Sequence, residues 1–133
     1  MNLRVCLFQV EKPNQFGIIY SREACESIVS QINKGNRYGE PFDENDPNPW
    51  TINLHKVSHV INNASIEDGK VMVSVDVLNT PNGSIMKELI RNERVPSFPL
   101  SISTTQSRED TITKVELIKI NMKFDGSKKK KAK

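Results

Sequence analysis

The segment KVMVSVDVL, Lys70–Leu78, constrains the fold more tightly than any other stretch of the chain. In it Val71, Val73, Val75 and Val77 alternate with mostly polar residues. Alternation with a period of two places the valines on one face of a β-strand. The pattern therefore predicts a strand with one buried face, which must pack against a further layer of structure.

Hydrophobic periodicity predicts an amphipathic helix early in the chain. Cys25, Ile28 and Ile32 recur at spacings of three and four in the segment SREACESIVSQIN, which places them on one helical face. Ser21 is a favourable N-cap, and Gly35 is a natural stop. The segment therefore predicts a helix of about three turns that begins after Ser21.

The remaining segments predict four further strands, a second helix and several loops. Pro41, Pro47 and Pro49 exclude a helix and a central strand from their segment. Elsewhere, runs rich in β-branched and aromatic residues indicate strands, and clusters of Gly, Pro, Asn, Asp and Ser between them indicate turns. We predict strands at 3–10, 51–62, 100–104 and 111–120, a helix at 84–91, turns at 65–69 and 80–83, and loops at 36–50 and around Pro96 and Pro99.

The order of these elements favours an α+β fold. Strands and helices do not alternate as in a βαβ repeat. The chain has 133 residues, of which 36% are hydrophobic, and this is enough apolar material for one core but not for two. We predict a single domain at 1–125, built on a small, mostly antiparallel sheet or barrel with two short helices.

The C-terminal residues 126–133 are predicted to form a disordered, lysine-rich tail. Its cations are Lys128, Lys129, Lys130, Lys131 and Lys133. Without these five of its 19 basic residues, the chain has 14 basic against 16 acidic residues, so a net charge of +3 becomes −2. The tail could bind an acidic partner or the phosphates of a nucleic acid. Alternatively, it only keeps the protein in solution.

Neither end of the chain indicates a membrane or an export signal. No apolar run approaches the ~20 residues that cross a bilayer. The N-terminal segment MNLRVCLFQV lacks the apolar core and cleavage site of a signal peptide. We therefore expect a protein that is made and used in a cytoplasm and has no membrane contact.

The cysteines and histidines predict no cofactor. We expect Cys6 and Cys25 to be reduced and buried, although a single disulfide stays open as an alternative. His55 and His59 are four residues apart, so a metal-binding pair is conceivable. No cysteine or acidic cluster at ligand spacing accompanies them, and we expect ordinary histidines with no metal.

The proline-rich loop carries three acidic residues and the chain's tryptophan. Asp43, Glu44 and Asp46 could pair with a cation, but a solvated acidic loop is the simpler interpretation. Trp50 is expected to anchor the loop against the core, as a lone tryptophan in a small domain often does.

Four short patches occur in the same order as the motifs of one enzyme family. They are NQFGIIYS at 14–21, GE at 39–40, the pair VSHVI and VLNTPNGSI between 57 and 85, and PLSIS at 99–103. In these patches the chain resembles the prohead, or capsid maturation, proteases of tailed bacteriophages. Those enzymes are serine proteases related in fold to the herpesvirus assemblins. The resemblance covers roughly residues 3–120 and implies the same fold.

The resemblance also shows what the chain lacks. It places the family's nucleophile at Ser101 and the family's catalytic histidine at about Asp43. An aspartate is a poor base for a serine because its pKa lies far below that of histidine. The arginine and glycine that follow the second serine of the family motif are Thr104 and Thr105 here, and the arginine of the first patch is Ile18. A serine without an adjacent base is a weak nucleophile.

These departures imply a catalytically degenerate member of the family. We expect a virion structural or head-assembly protein that binds capsid or other head proteins, in the virion and in the bacterial host cytoplasm during assembly. Self-association stays open. The alternative is an active serine protease of prohead maturation that uses Ser101, or Ser103 if the fourth patch is shifted, with His59 or His55 as its base.

Overall fold

The computed structural model describes residues 1–14, 17–35, 37–47 and 50–128, without the side chains of 104, 105 and 125–128. Within these residues it contains nine strands, two α-helices and one 3₁₀ helix. In chain order they are β1 (Asn2–Gln9), β2 (Ile19–Tyr20), α1 (Arg22–Lys34), β3 (Arg37–Gly39), the 3₁₀ helix (Leu54–Lys56), β4 (His59–Glu67), β5 (Lys70–Val77), α2 (Pro81–Arg91), β6 (Arg94–Ser97), β7 (Leu100–Arg108), β8 (Thr111–Ile120) and β9 (Lys123–Lys128).

The strands form three sheets that are mostly antiparallel. Their orders are β1-β5-β4-β3, β2-β8-β7 and β6-β9. Every strand pair is antiparallel except β2 with β8. The four valines of β5 are buried, and β5 lies between β1 and β4. The predicted α+β class, with a mostly antiparallel sheet and two short helices, is confirmed.

Helix α1 packs against strands of two different sheets, β4 and β8. Its N-cap is Ser21, whose Oγ accepts a hydrogen bond from the Ala24 N–H at 3.1 Å. Ala24, Cys25, Ile28 and Ile32 are fully or almost fully buried, which is the apolar face that the sequence predicts. Burial of such a face supplies most of the stability of a helix of this length.

Two amide side chains of α1 bond to the backbones of these two sheets. Asn33 accepts from the Ala64 N–H and donates to the Ala64 C=O, both at 2.8 Å. Gln31 donates to the Val115 C=O at 3.0 Å and accepts from the Leu117 N–H at 2.7 Å. Each amide therefore replaces the peptide group of a missing neighbouring strand, so these buried backbone groups stay satisfied.

Several predicted boundaries are wrong because tertiary partners override local signals. β3 lies inside the predicted loop 36–50, where it pairs with β4. The predicted strand 51–62 contains the 3₁₀ helix and becomes a strand only at His59. β4 then continues to Glu67, through most of the predicted turn 65–69. Helix α2 begins at Pro81, where Thr80 is the N-cap, since proline fits the first turn.

Four further expectations differ from the structure: those for Cys6, for Trp50, for the loop around Pro96 and for the C-terminal tail. Cys6 is exposed, because the inward positions of β1 belong to the alternate residues on either side of it. Trp50 is 64% exposed and does not anchor its loop. β6 contains Pro96, which pairs with Phe124 of β9. β9 runs to Lys128, three residues into the predicted tail, and residues 129–133 lie outside the described part of the chain.

Candidate functional site

Ser101 lies on β7 directly opposite Lys119 of β8. Residues opposite each other in an antiparallel pair share a face of the sheet, with Cβ atoms about 5 Å apart. Their neighbours Leu100 and Ile120, and beyond a bulge Ile102 and Leu117, pair on the other face and belong to the core. Ser101, where the sequence resemblance places the family's nucleophile, is therefore beside a lysine.

The Lys119 side chain is 1% exposed and has three acceptors. Its Nζ lies 2.9 Å from Asp46 Oδ2, 3.3 Å from Glu40 Oε2 and 2.9 Å from the Thr51 C=O. These three contacts use all three protons of an ammonium group. We call Glu40, Asp46, Thr51 and Lys119 the lysine cluster.

The lysine cluster fixes the acidic loop onto the end of β8. The Met122 N–H donates to the Glu40 C=O at 3.1 Å, and the Phe42 N–H donates to the Met122 C=O at 2.8 Å. Glu40 Oε2 also accepts from the Asn53 N–H at 2.9 Å. The loop is thus partly buried and paired, which corrects the expectation of a solvated acidic loop for Asp46, although Asp43 and Glu44 are exposed.

The Lys119 amine is directed away from Ser101. Its Nζ atom points to the loop, because its hydrogen bonds go to Glu40, Asp46 and Thr51, and three acceptors use all three of its protons. Ser101 and Lys119 therefore share a face of the sheet, while the lysine side chain is engaged with the loop.

His59, the base in the alternative hypothesis, is fully buried and has both ring nitrogens occupied. Nε2 lies 2.8 Å from the Ile120 C=O. Because a carbonyl only accepts, Nε2 carries the proton, and Nδ1 accepts from the Ser58 Oγ hydroxyl at 2.7 Å. Ser58 is likewise fully buried. Neither nitrogen bonds to Ser101.

A glycine makes this position of His59 possible. Gly39 of β3 pairs with His59 of β4. A Cβ atom at position 39 would lie 2.3 Å from His59 Nε2 and 2.0 Å from the Ile120 C=O oxygen. The family-like Gly39-Glu40 patch therefore makes room for a buried histidine and starts the loop that holds Lys119.

The buried imidazole predicts a loss of stability in mild acid. Burial lowers the pKa of His59 to about 4, although its hydrogen bond to Ile120 opposes the shift. The unfolded chain, with a histidine pKa of ~6.5, binds the proton first, so this contribution is complete above pH ~6.5 and is lost as the pH falls towards 4. We expect the free energy of unfolding to fall by about 3 kcal/mol across this window.

The measurement is urea unfolding at several pH values, combined with an NMR titration of the histidine rings. His55→Gln assigns the two ring signals and serves as the matched control, because His55 is exposed on the 3₁₀ helix. A His59 ring that titrates near pH 6.5 in the folded protein contradicts this prediction.

The other predicted site residues are not brought together. His55 is exposed on the 3₁₀ helix, whereas His59 is buried at the start of β4, so the two do not share a face. Asp43, where the sequence resemblance places the family's histidine, accepts through Oδ1 from the Asn45 N–H at 2.9 Å within the loop. The described residues contain no group of three or more histidine, cysteine or acidic side chains that could hold a metal ion.

Local sequence patterns did not indicate Lys119 as the centre of the site. A lysine in the run LIKINM has the position of an outward residue of an amphipathic strand. The signal that could have found it is the excess of apolar neighbours on both sides, which indicates a strand buried on both faces. Its carboxylate partners lie 73 and 79 residues earlier in the chain, beyond the reach of any local pattern.

These elements define an α+β domain built on mostly antiparallel sheets and two helices. Its fold is similar to that of the capsid assembly protease of bacteriophage T4, gp21, with a TM-score of 0.75 and 15% sequence identity. The match covers 92% of this chain and 80% of the T4 chain. In sequence the chain matches no family model and no curated protein. Among the described residues, no helix is both long and apolar enough to span a membrane.

Proposed function

We propose that the chain is a head-assembly or structural protein of a phage virion, built on the capsid protease fold and without proteolytic activity. It acts by binding capsid or other head proteins, in the host cytoplasm during assembly and then in the particle. The fold likeness to a capsid assembly protease supports the setting. The hydrogen bonds of His59 support the lack of activity.

The observation that carries the proposal is that both ring nitrogens of His59 already form hydrogen bonds. A base for Ser101 must have a free ring nitrogen within about 3 Å of the hydroxyl. His59 uses Nδ1 for Ser58 and Nε2 for Ile120, and its low pKa makes it a weak base. The residue at the family's histidine position is Asp43, which cannot replace it.

The lysine-rich tail belongs to the same proposal as an accessory contact. Lys128–Lys131 and Lys133 would bind an acidic head protein or packaged nucleic acid through charge neutralisation. Self-association of the domain is equally part of the proposal.

The alternative is an active maturation protease with Ser101 as nucleophile and His59 or His55 as base. Its support is the position of Ser101, which is only partly buried. On β7, Ser101 follows Leu100, the strand partner of Ile120, and the Ile120 carbonyl bonds to His59. Activity along this route would require His59 to exchange its Ile120 or Ser58 hydrogen bond for one to Ser101.

Intact-mass measurement after treatment with a fluorophosphonate probe tests both functions. We expect intact, unlabelled chains at a fixed copy number in purified phage particles, and no adduct on recombinant wild type or Ser101→Ala. Trypsin treated in parallel is the positive control. A single adduct on the wild type that Ser101→Ala abolishes supports the protease, and absence of the chain from particles and assembly intermediates overturns the structural role.

A further inference from the structure

A groove of about 930 Å³ runs between β1 and the segment 93–98, which includes β6. Its floor is apolar, and Leu3, Val5 and Leu7 on one side face Ile90 and Pro96 on the other. Such a volume lies near the upper end of the range for ligand-binding clefts. Neither Ser101 nor any residue of the lysine cluster lines the groove, so the groove is separate from the candidate active site.

Both walls of the groove are edges of sheets. Within the described residues, β1 pairs with β5 on one side only, and β6 pairs with β9 on one side only. An edge strand presents alternate N–H and C=O groups that have no strand partner. An extended peptide satisfies such groups by adding a strand, and its alternate side chains enter the pockets below.

The charges that line the groove are mainly positive. Four charged residues line it: Arg4, Lys12 and Arg94 are basic, and Glu93 is acidic. Arg4 forms a salt bridge of 2.6 Å with Glu67, which does not line the groove. Lys12 is exposed near one end of the groove. This charge distribution complements an acidic segment and opposes a basic one, such as the chain's own lysine-rich tail.

We propose that this groove binds an extended, acidic peptide segment of a partner protein by strand addition along β1. Apolar side chains of the segment occupy the floor, and its carboxylates lie towards Lys12. The inference rests on the proposed function, because it specifies the chemistry of the partner segment that the protein binds. Synthetic peptides test the groove without any head protein.

The chain carries its own reporter for the groove. Cys6 lines it and is exposed, whereas Cys25 is buried and burial raises the pKa of its thiol to about 11. A maleimide will therefore modify Cys6 selectively. A peptide that occupies the groove will slow this modification.

The probes are three synthetic peptides: a heptapeptide alternating Glu and Val, its Lys–Val counterpart, and a Glu–Val peptide with proline at its centre. We expect the Glu–Val peptide to bind by fluorescence anisotropy and to protect Cys6, and the other two to do neither. Lys12→Glu should weaken binding by about tenfold, because a like charge then faces the peptide. Lys114→Glu, at an exposed position of β8, is the matched control and should leave binding unchanged.

Other outcomes overturn the inference. Equal binding of the Lys–Val peptide removes the charge argument, and binding without protection of Cys6 places the peptide elsewhere. Protection of Cys6 that rises with protein concentration in the absence of peptide shows that a second copy of the chain occupies the groove. Loss of peptide binding leaves the particle experiment unaffected, so the two proposals fail separately.

Discussion

Lys119→Met is expected to destabilise the domain by about 3–5 kcal/mol, the usual cost of removing one partner from a buried ion pair. Glu40, 4% exposed, and Asp46 would then lose the ammonium that both contact. The Thr51 carbonyl would also lose its donor. Methionine fills a similar volume, so the effect measures the loss of charge and hydrogen bonds, with little contribution from a cavity.

Urea unfolding of Lys119→Met beside Lys114→Met measures this effect. Lys114 is an exposed lysine of the same strand, and its replacement should change the free energy of unfolding by less than ~0.5 kcal/mol. Adding Glu40→Gln and Asp46→Asn to Lys119→Met should restore part of the loss, because amides carry no charge to bury. Equal losses of stability in Lys119→Met and Lys114→Met would show that the contacts of the lysine cluster do not stabilise the fold.

Gly39→Ala is expected to cost roughly 3 kcal/mol or more, at the upper end of the range for overpacking. The new methyl group would lie 2.0 Å from the Ile120 carbonyl oxygen and 2.3 Å from His59 Nε2. Neither atom can move freely, since one belongs to the backbone of β8 and the other to a ring that is hydrogen-bonded at both nitrogens. The hydrogen bond between His59 and Ile120 should be lost.

Gly35→Ala is the matched control, because a Cβ atom at that position meets nothing within 4 Å and its φ of −167° is extended backbone. Thermal unfolding should show a large loss of stability for Gly39→Ala and a change of less than ~1 kcal/mol for Gly35→Ala. In the NMR titration, any folded Gly39→Ala should have a changed His59 signal. Similar stabilities for the two variants would contradict the steric argument.

Local patterns predicted those elements whose burial has a clear period. The valines of β5 and the apolar face of α1 both appear where expected, since each spans enough residues to define its own periodicity. The short strands β3, β6 and β9 were not predicted. Strands of three to six residues carry little periodicity. β3 forms because β4 supplies its hydrogen-bond partners, and β6 and β9 supply partners for each other.

For the candidate site, the sequence located single residues but not their partners. The resemblance to the phage proteases drew attention to Ser101 and to the missing histidine at Asp43. It did not indicate that Lys119 lies opposite Ser101 or that His59 bonds to the Ile120 carbonyl. Those contacts depend on strand register, which shifts at a bulge just beyond Ser101, and a one-residue shift reverses which face a side chain occupies.

The two amides of α1 have a consequence for how the domain comes apart. Asn33 holds β4 in one sheet, and Gln31 holds β8 in another. Undocking the helix would break its hydrogen bonds to both sheets at once and would expose to water the apolar residues that it buries, Ala24, Cys25, Ile28 and Ile32. Because one helix covers both sheets, we expect them to lose their packing together, and the domain should unfold as one cooperative unit.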